Sequence, residues 1–291
     1  MNLYHYTDLN AVHSILDTHK IRMTDIRFLN DKTEYRRGLQ ILEEASHKVF
    51  NQNRRYSKEI AETVQEWFPK VFEELSDIEY AEEMFYVASF SKSSDTLSQW
   101  RSYGMFAIGL DKRKLLNRVN SLINEMRKVE KKHLKVDLLE CHYINDESIA
   151  IQTAIDLIYA KVMTIMDNWW QPDGPPDRNQ HLYKDLKEII SMLATTFKHS
   201  SFSEEEEVRL VISDEIVSQR INFRVKNNVL IPFYELDLSP DVFTGVKIGP
   251  VENQKLSEQS LHIYNSHRTV KLGDEKFQLV IETSEIPYRT L

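Results

Sequence analysis

Apolar positions recur along the chain in two textures, helical in the first two thirds and strand-like after residue 200. Leu3 to Tyr6 reads as a short strand; Thr7 or Asp8 then caps a helix to about Lys20, with Leu9, Val12, Ile15 and Leu16 on its apolar face. Residues 24–33 read as loop, followed by a helix to about Phe50. A second helical region covers 57–82, with a break near Pro69. Met84 to Phe90 is a strand, Ser91 to Asp95 a turn, and Met105 to Leu110 and Lys135 to Tyr143 are further strands. Asp146 to Trp170 and Gln180 to Lys198 carry helical periodicity, separated by Gln171-Pro-Asp-Gly-Pro-Pro-Asp177, which reads as irregular. Strands then follow at 206–212, 220–225, 228–236, 242–248 and 277–282, with one helix near 253–266. No internal repeat is present. The layout is α+β, and 1–291 reads as a single domain with helical insertions about 45–82 and 112–198.

Composition narrows the chemistry. Only seven of 291 residues are glycine, where average usage gives roughly twenty. None stands in a Gly-x-Gly-x-x-Gly spacing or before Lys-Ser or Lys-Thr, so neither a Rossmann fingerprint nor a P-loop is present. Cys141 is the only cysteine, which excludes an intrachain disulfide and a cysteine-based zinc cluster. No His-Glu-x-x-His occurs, and no metal is expected. The amino terminus lacks a basic stretch followed by an apolar one, and no eighteen consecutive residues are apolar. The expectation is a soluble, cytoplasmic protein with no membrane partner. The net charge is −8 and segregated: residues 59–83 hold nine acids against one base, and 112–135 nine bases against two acids. The basic stretch reads either as a rim for a phosphate-rich substrate or as a solvated helical face.

Three segments carry candidate chemistry. In Leu3-Tyr4-His5-Tyr6-Thr7, His5 and Thr7 share one strand face, where a histidine at a strand end can donate to a sugar hydroxyl. In Leu97-Ser98-Gln99-Trp100-Arg101-Ser102-Tyr103-Gly104, Trp100 and Tyr103 lie three apart on one helical face, and Tyr103 sits at a helix end. In Phe202-Ser203-Glu204-Glu205-Glu206-Glu207-Val208-Arg209, a strand starting near Glu205 puts Glu205, Glu207 and Arg209 opposite Val208 and Leu210. The adjacent Cys141 and His142 point to opposite faces of a strand and do not form a dyad.

These segments together resemble the bacterial family catalogued as domain of unknown function 2971. The likeness rests on Tyr4 to Thr7 and Ser14-Ile15-Leu16, a Phe28, Asn30, Asp31, Glu34 loop, Phe90-Ser91, Trp100 to Tyr103, and Lys198, Phe202, Glu205, Glu207 and Arg209. That family in turn looks like a divergent branch of the ADP-ribosyltransferase fold, with its split β-sheet core and His–Tyr–Glu triad. A glycine after His5, frequent in that fold, is absent here. The resemblance implies an NAD-dependent mono-ADP-ribosyltransferase that uses NAD as substrate and modifies a nucleic-acid or protein acceptor, nucleic acid favoured. It implies Glu207, Glu205 and Tyr103 as catalytic residues. Glu207 would steady an oxocarbenium-like ribose, Glu205 would orient or deprotonate the acceptor, and Tyr103 would stack on nicotinamide. His5, Tyr6, Thr7, Trp100, Arg101 and Arg27 would bind NAD, with Arg22 a further cation for the pyrophosphate. By analogy such an enzyme is a toxin or phage-defence effector, with an antitoxin or inhibitor protein as partner. The other reading is a catalytically silent module that binds a nucleotide or a partner.

Overall fold

Strand β1 (Asn2–Thr7) buries Leu3 and Tyr6 and runs into α1 (Leu9–Thr18), whose N-terminus is capped by Asp8 accepting from the Ala11 amide. The computed structural model describes residues 1–29, 32–52, 58–76, 83–130, 136–169, 176–215 and 220–287. His19 closes α1 in the left-handed conformation, a place usually taken by glycine, and the chain returns as β2 (Lys20–Asp25). The strand β2 overlaps the stretch read as loop. Its signal is the alternation of Ile21 and Met23, both buried, which the neighbouring helix pattern masked.

After β2 come α2 (Lys32–Gln52), α3 (Lys58–Ser76), β3 (Glu83–Ser91), α4 (Leu97–Tyr103), β4 (Phe106–Asp111), α5 (Lys112–Glu130), β5 (Val136–Glu140) and β6 (His142–Ile144). Helix α6 (Glu147–Leu157) continues through a π-helical turn, Ile158–Met163, into α7 (Thr164–Trp169). Then follow α8 (Pro176–Ala194), β7 (Phe197–His199), β8 (Glu207–Glu215), β9 (Ile221–Lys226), β10 (Val229–Asp237), β11 (Phe243–Ile248), α9 (Gln254–Leu272) and β12 (Val280–Thr283). The α+β layout is as expected, with local differences, among them that the helix expected to Lys198 ends at Ala194 and Phe197–His199 is strand β7. No break occurs at Pro69: α3 runs through it, held by the buried stripe Val64, Phe68, Val71, Phe72 and Leu75. Helix α8 starts at Pro176, because the first turn has no use for the missing N–H. The strand over 135–143 is interrupted at Cys141. Strand β8 begins at Glu207 and not Glu205, because Glu206 turns left-handed (φ 42°).

The main sheet is forked at β3. Along one edge β3 pairs with β8 over its whole length, Glu83 opposite Glu215 through Ser91 opposite Glu207. A strand has two edges, so β1 and β2 share the other: β2 meets Val87 and Tyr86, and β1 meets only Ser91. One arm of the fork is β1, β4, β11 and β12; the other is β2, β10 and β9. Between them, on this second edge, the backbone of β3 around Ser89 has no strand partner among the described residues.

Two apolar clusters cover the sheet. One face packs α1 and α5 through Val12, Leu16, Leu115 and Val119, with Phe90, Val208 and Leu210 beneath them. The other packs α2, α3, α6 and α8 on Phe85, Val87 and Val211. Segment 112–198 is therefore not one insertion: α5 lies on the opposite face from α6 and α8, and β5 pairs with β8 inside the sheet. Residues Glu147–Met166 are apolar and long enough to cross a membrane by length and composition, and here Ala150, Ile158, Val162 and Met166 pack into this core. Gly38 sets how closely the helical layer approaches. A Cβ there would lie 2.0 Å from the Ala194 carbonyl oxygen, so only glycine lets α2 seat against the end of α8.

Candidate active site

That close seating carries Glu34, one helical turn before Gly38, over the start of β8. Arg209 donates from Nη2 to Glu34 Oε2 at 2.8 Å, from Nε to Glu207 Oε1 at 2.8 Å and from Nη2 to Glu207 Oε2 at 3.0 Å. Its remaining amino group donates to the Thr195 carbonyl. Lys198, on β7, donates to Glu207 Oε2 at 2.8 Å and also to Glu205. Glu205 closes the 3₁₀ turn Ser200–Glu205, and the left-handed Glu206 returns its side chain beside Glu207. The expected neighbourhood of Glu205, Glu207 and Arg209 exists, made by a turn and a shared lysine where a regular strand was expected. The Glu207 backbone is also fixed: its N–H donates to the Tyr143 hydroxyl at 2.6 Å, and its carbonyl accepts from the Cys141 amide at 2.9 Å.

Four buried side chains and the half-buried Glu34 hold three carboxylates against two cations, and Glu207 and Glu205 diverge. Burial favours the neutral form of Glu207, but Arg209 and Lys198 outweigh it and hold the carboxyl down to about 2. Glu205 goes the other way. Burial raises its pKa, and the charges of Glu207 and Glu34 add to that, against Lys198. The same cluster thus holds the Glu207 carboxyl down and lets the Glu205 carboxyl rise above the usual carboxylate range.

The cluster forms one wall of a cleft of about 690 Å³ at the fork of the sheet. His5, Tyr6 and Thr7 line it from β1, and Val87 to Ser89 line it from β3. His5 Nδ1 donates to the Ser89 carbonyl at 3.0 Å, filling the gap where β3 lacks a strand partner, and burial lowers the imidazole pKa. Neutral His5 therefore keeps Nε2 as an acceptor. A hydrogen-bond donor in the cleft can be met there, whereas the expectation from the sequence has His5 donating. Tyr103 also lines the cleft, 40% exposed, its hydroxyl 3.5 Å from Glu205 Oε1. Burial and then Glu205 push that phenol up to about 12. Gly104 makes the placement possible. Its φ is +133°, and a Cβ there would meet the Thr7 carbonyl at 2.4 Å. Phe28 and Phe202 add two more rings to the lining.

Three of the expected NAD-binding residues lie elsewhere. Trp100 is buried; its indole N–H donates to Asp95 at 2.8 Å and its ring packs against Tyr6, so it supports the wall without lining it. Arg27 is held by two bonds to the buried Asp25, at 3.1 and 2.8 Å, and Arg101 is not part of the lining. Of the three arginines considered for a pyrophosphate, Arg22 alone lines the cleft, joined by Lys20, Arg224 and Lys226. The described part of the basic stretch 112–135, helix α5, contributes no residue to the lining. Tyr6 lines the cleft by its edge, its hydroxyl donating to the Ser93 carbonyl and accepting from the Thr96 amide. Burial pushes the Cys141 thiol well up, so it stays protonated. Asn30 and Asp31 lie outside the described residues. The sequence reading gave Glu34, Lys198 and Arg209 no role, although all three stand in the motifs that carry the resemblance. It did not single out Arg224 and Lys226, whose signal is the strict alternation of Phe223 and Val225 with polar neighbours.

Residues 99–210 match the family described as protein of unknown function, DUF2971. The matched segment runs from α4 to the start of β8 and contains Tyr103, Lys198, Glu205, Glu207 and Arg209, the carboxylate side of the cleft. It supports the likeness to that family drawn from the motifs. His5 and Glu34 come from outside it. No curated protein and no solved structure matches the chain.

Proposed function

We propose that the cleft transfers the ADP-ribosyl group of NAD to a macromolecular acceptor. The observation that carries this reading is the convergence of Glu207, whose carboxyl is held low, and Glu205, whose carboxyl is raised, on one cleft with Tyr103 and His5. In the proposed reaction the bond from ribose C1′ to the nicotinamide nitrogen breaks, and nicotinamide leaves with the electron pair. Positive charge is left shared between C1′ and the ring oxygen. A carboxylate has about four acceptor positions, of which Lys198 and Arg209 fill three on Glu207. The fourth remains for the ribose 2′-hydroxyl, and the fixed negative charge steadies the cation. The acceptor lone pair then bonds to C1′, and its proton passes to Glu205. Tyr103 supplies a ring face for nicotinamide, and His5 Nε2 accepts from a ribose hydroxyl of the adenosine half.

The engagement of Glu207 by two cations favours a second reading, a silent module in which the ion network only supports the fold. Incubation with NAD labelled in the adenylate part, alone and with cell lysate, separates the two. Transfer of label to a lysate macromolecule, lost in Glu207→Gln, is the expected result. Binding of NAD with no label transferred and no nicotinamide freed would establish the silent module. Under the transferase reading, expression in a bacterial cytoplasm depletes NAD and arrests growth, as a toxin or phage-defence effector does.

A further inference from the structure

The arm of the fork formed by β2, β10 and β9 presents its inner face to the cleft, and strand register fixes what that face carries. Residues directly opposite on antiparallel strands project to the same side. On β10, Val229 lies opposite Lys226, Ile231 opposite Arg224, Glu235 opposite Arg22 and Asp237 opposite Lys20. The four cations therefore follow one another along the arm. Positions 229 and 237 are eight residues apart, roughly 26 Å along a strand. Lys20 and Arg22 are opposed by Glu235 at 3.5 and 3.6 Å, and Lys20 by Asp237 at 3.8 Å. Arg224 and Lys226 have no carboxylate within ion-pair distance among the described residues. Arg224 donates to Thr24 Oγ1 at 3.1 Å, yet its Nε is buried without a partner. Burial and the proximity of Arg22 both disfavour its charge. A protein of net charge −8 thus lines one arm of the cleft with a track of four cations, of which Arg224 and Lys226 are not compensated by a carboxylate among the described residues.

We infer that this track binds a single-stranded nucleic acid and delivers it to the cleft as the acceptor, an assignment that rests on the transferase reading above. The length decides between anions. A pyrophosphate is two phosphates joined by one oxygen, far shorter than the row of cations. A stacked single strand places a phosphate about every 3.4 Å, so the track spans roughly seven or eight nucleotides. The rings of Phe28, Phe202 and Tyr103 in the cleft suit the flat face of a base.

The test is anisotropy of a labelled single strand of about 12 nucleotides, as DNA and as RNA, over a range of salt concentration without NAD. For single strands the slope of log K against log salt is about −0.7 per phosphate neutralised. Replacing Arg224 and Lys226 together by Ala should make the slope shallower by about 1.4, and Lys226→Ala alone, at an exposed edge position, by about 0.7. The matched pair Arg113→Ala and Lys114→Ala on α5 should leave it unchanged. No binding by the wild type at low salt, an unaltered slope in the variants, an equal loss in the α5 control, or equally tight binding of polyglutamate would each overturn the inference. Because the assay contains no NAD, oligonucleotide binding without nicotinamide release would sink the transferase reading alone. Nicotinamide release without oligonucleotide binding would sink this one alone.

Discussion

Glu207→Gln tests the electrostatic core of the site in a way that needs no substrate. The substitution keeps shape and removes one charge, taking the cluster from three carboxylates and two cations to two of each. Arg209 keeps Glu34, and Lys198 keeps Glu205. What is lost is the interaction that holds the Glu207 carboxyl at about 2 against an ordinary 4.5, worth about 3 kcal/mol at neutral pH. For a chain of 291 residues that corresponds to a melting temperature lower by about 5 °C. The sign with pH follows from the lowered pKa: the stabilisation is fully present above 4.5 and fades as pH falls toward 2. The gap between wild type and variant should therefore narrow from about 3 kcal/mol at pH 7 to about 2 kcal/mol at pH 3.5. Urea unfolding followed by circular dichroism at both pH values measures it. A gap below about 1 kcal/mol at pH 7, or one that widens on acidification, refutes the claim that the two cations hold Glu207 ionised.

Glu205 has the opposite shift, so its contribution to stability is full below 4.5 and is lost as pH rises through its raised folded value. For the same reason the label-transfer rate should have an acid limb above 4.5, absent in Glu205→Gln; a flat profile in the wild type contradicts the base role. Gly38→Ala forces a methyl into the Ala194 carbonyl, and thermal melting should show a loss of about 1–3 kcal/mol. An unshifted melt would mean that α2 does not need its close seat. Cys141, buried with a raised thiol pKa, should resist a thiol reagent until urea unfolds the chain; rapid labelling of the native protein would contradict its burial.

Much of this architecture was legible in the sequence where periodicity was long or a turn residue was unambiguous. The strands after residue 200, the helix after β1 and the three site segments follow from alternation, capping and spacing. What escaped was set by tertiary contact. His19 ends α1 without a glycine, so no turn residue marks the helix stop or the start of β2, and only Thr24 and Asp25 fall in the expected loop. Pro69 sits in an unbroken helix because the apolar stripe on either side outweighs its lost hydrogen bond. Arg27 and Trp100 have the right chemistry and neighbourhood in sequence, but Asp25 and Asp95 claim their donors. Conversely, Glu34 enters the site from α2, 171 residues from Glu205, and no local pattern joins the two; Lys198 stands in the same local motif as Glu205, but its strand β7 lies where a helix was expected. The glycine content illustrates both halves. Its scarcity excludes nucleotide cradles, while Gly38 and Gly104 place Glu34 and Tyr103 by letting backbones touch, which only the folded chain reveals.

The most direct measurement is release of free nicotinamide when the purified chain is incubated with NAD and lysate nucleic acid. The account predicts release by the wild type and its loss in Glu207→Gln, with the variant's circular dichroism still that of a folded protein. Absence of release by the wild type, or release that persists undiminished in the folded variant, would contradict it.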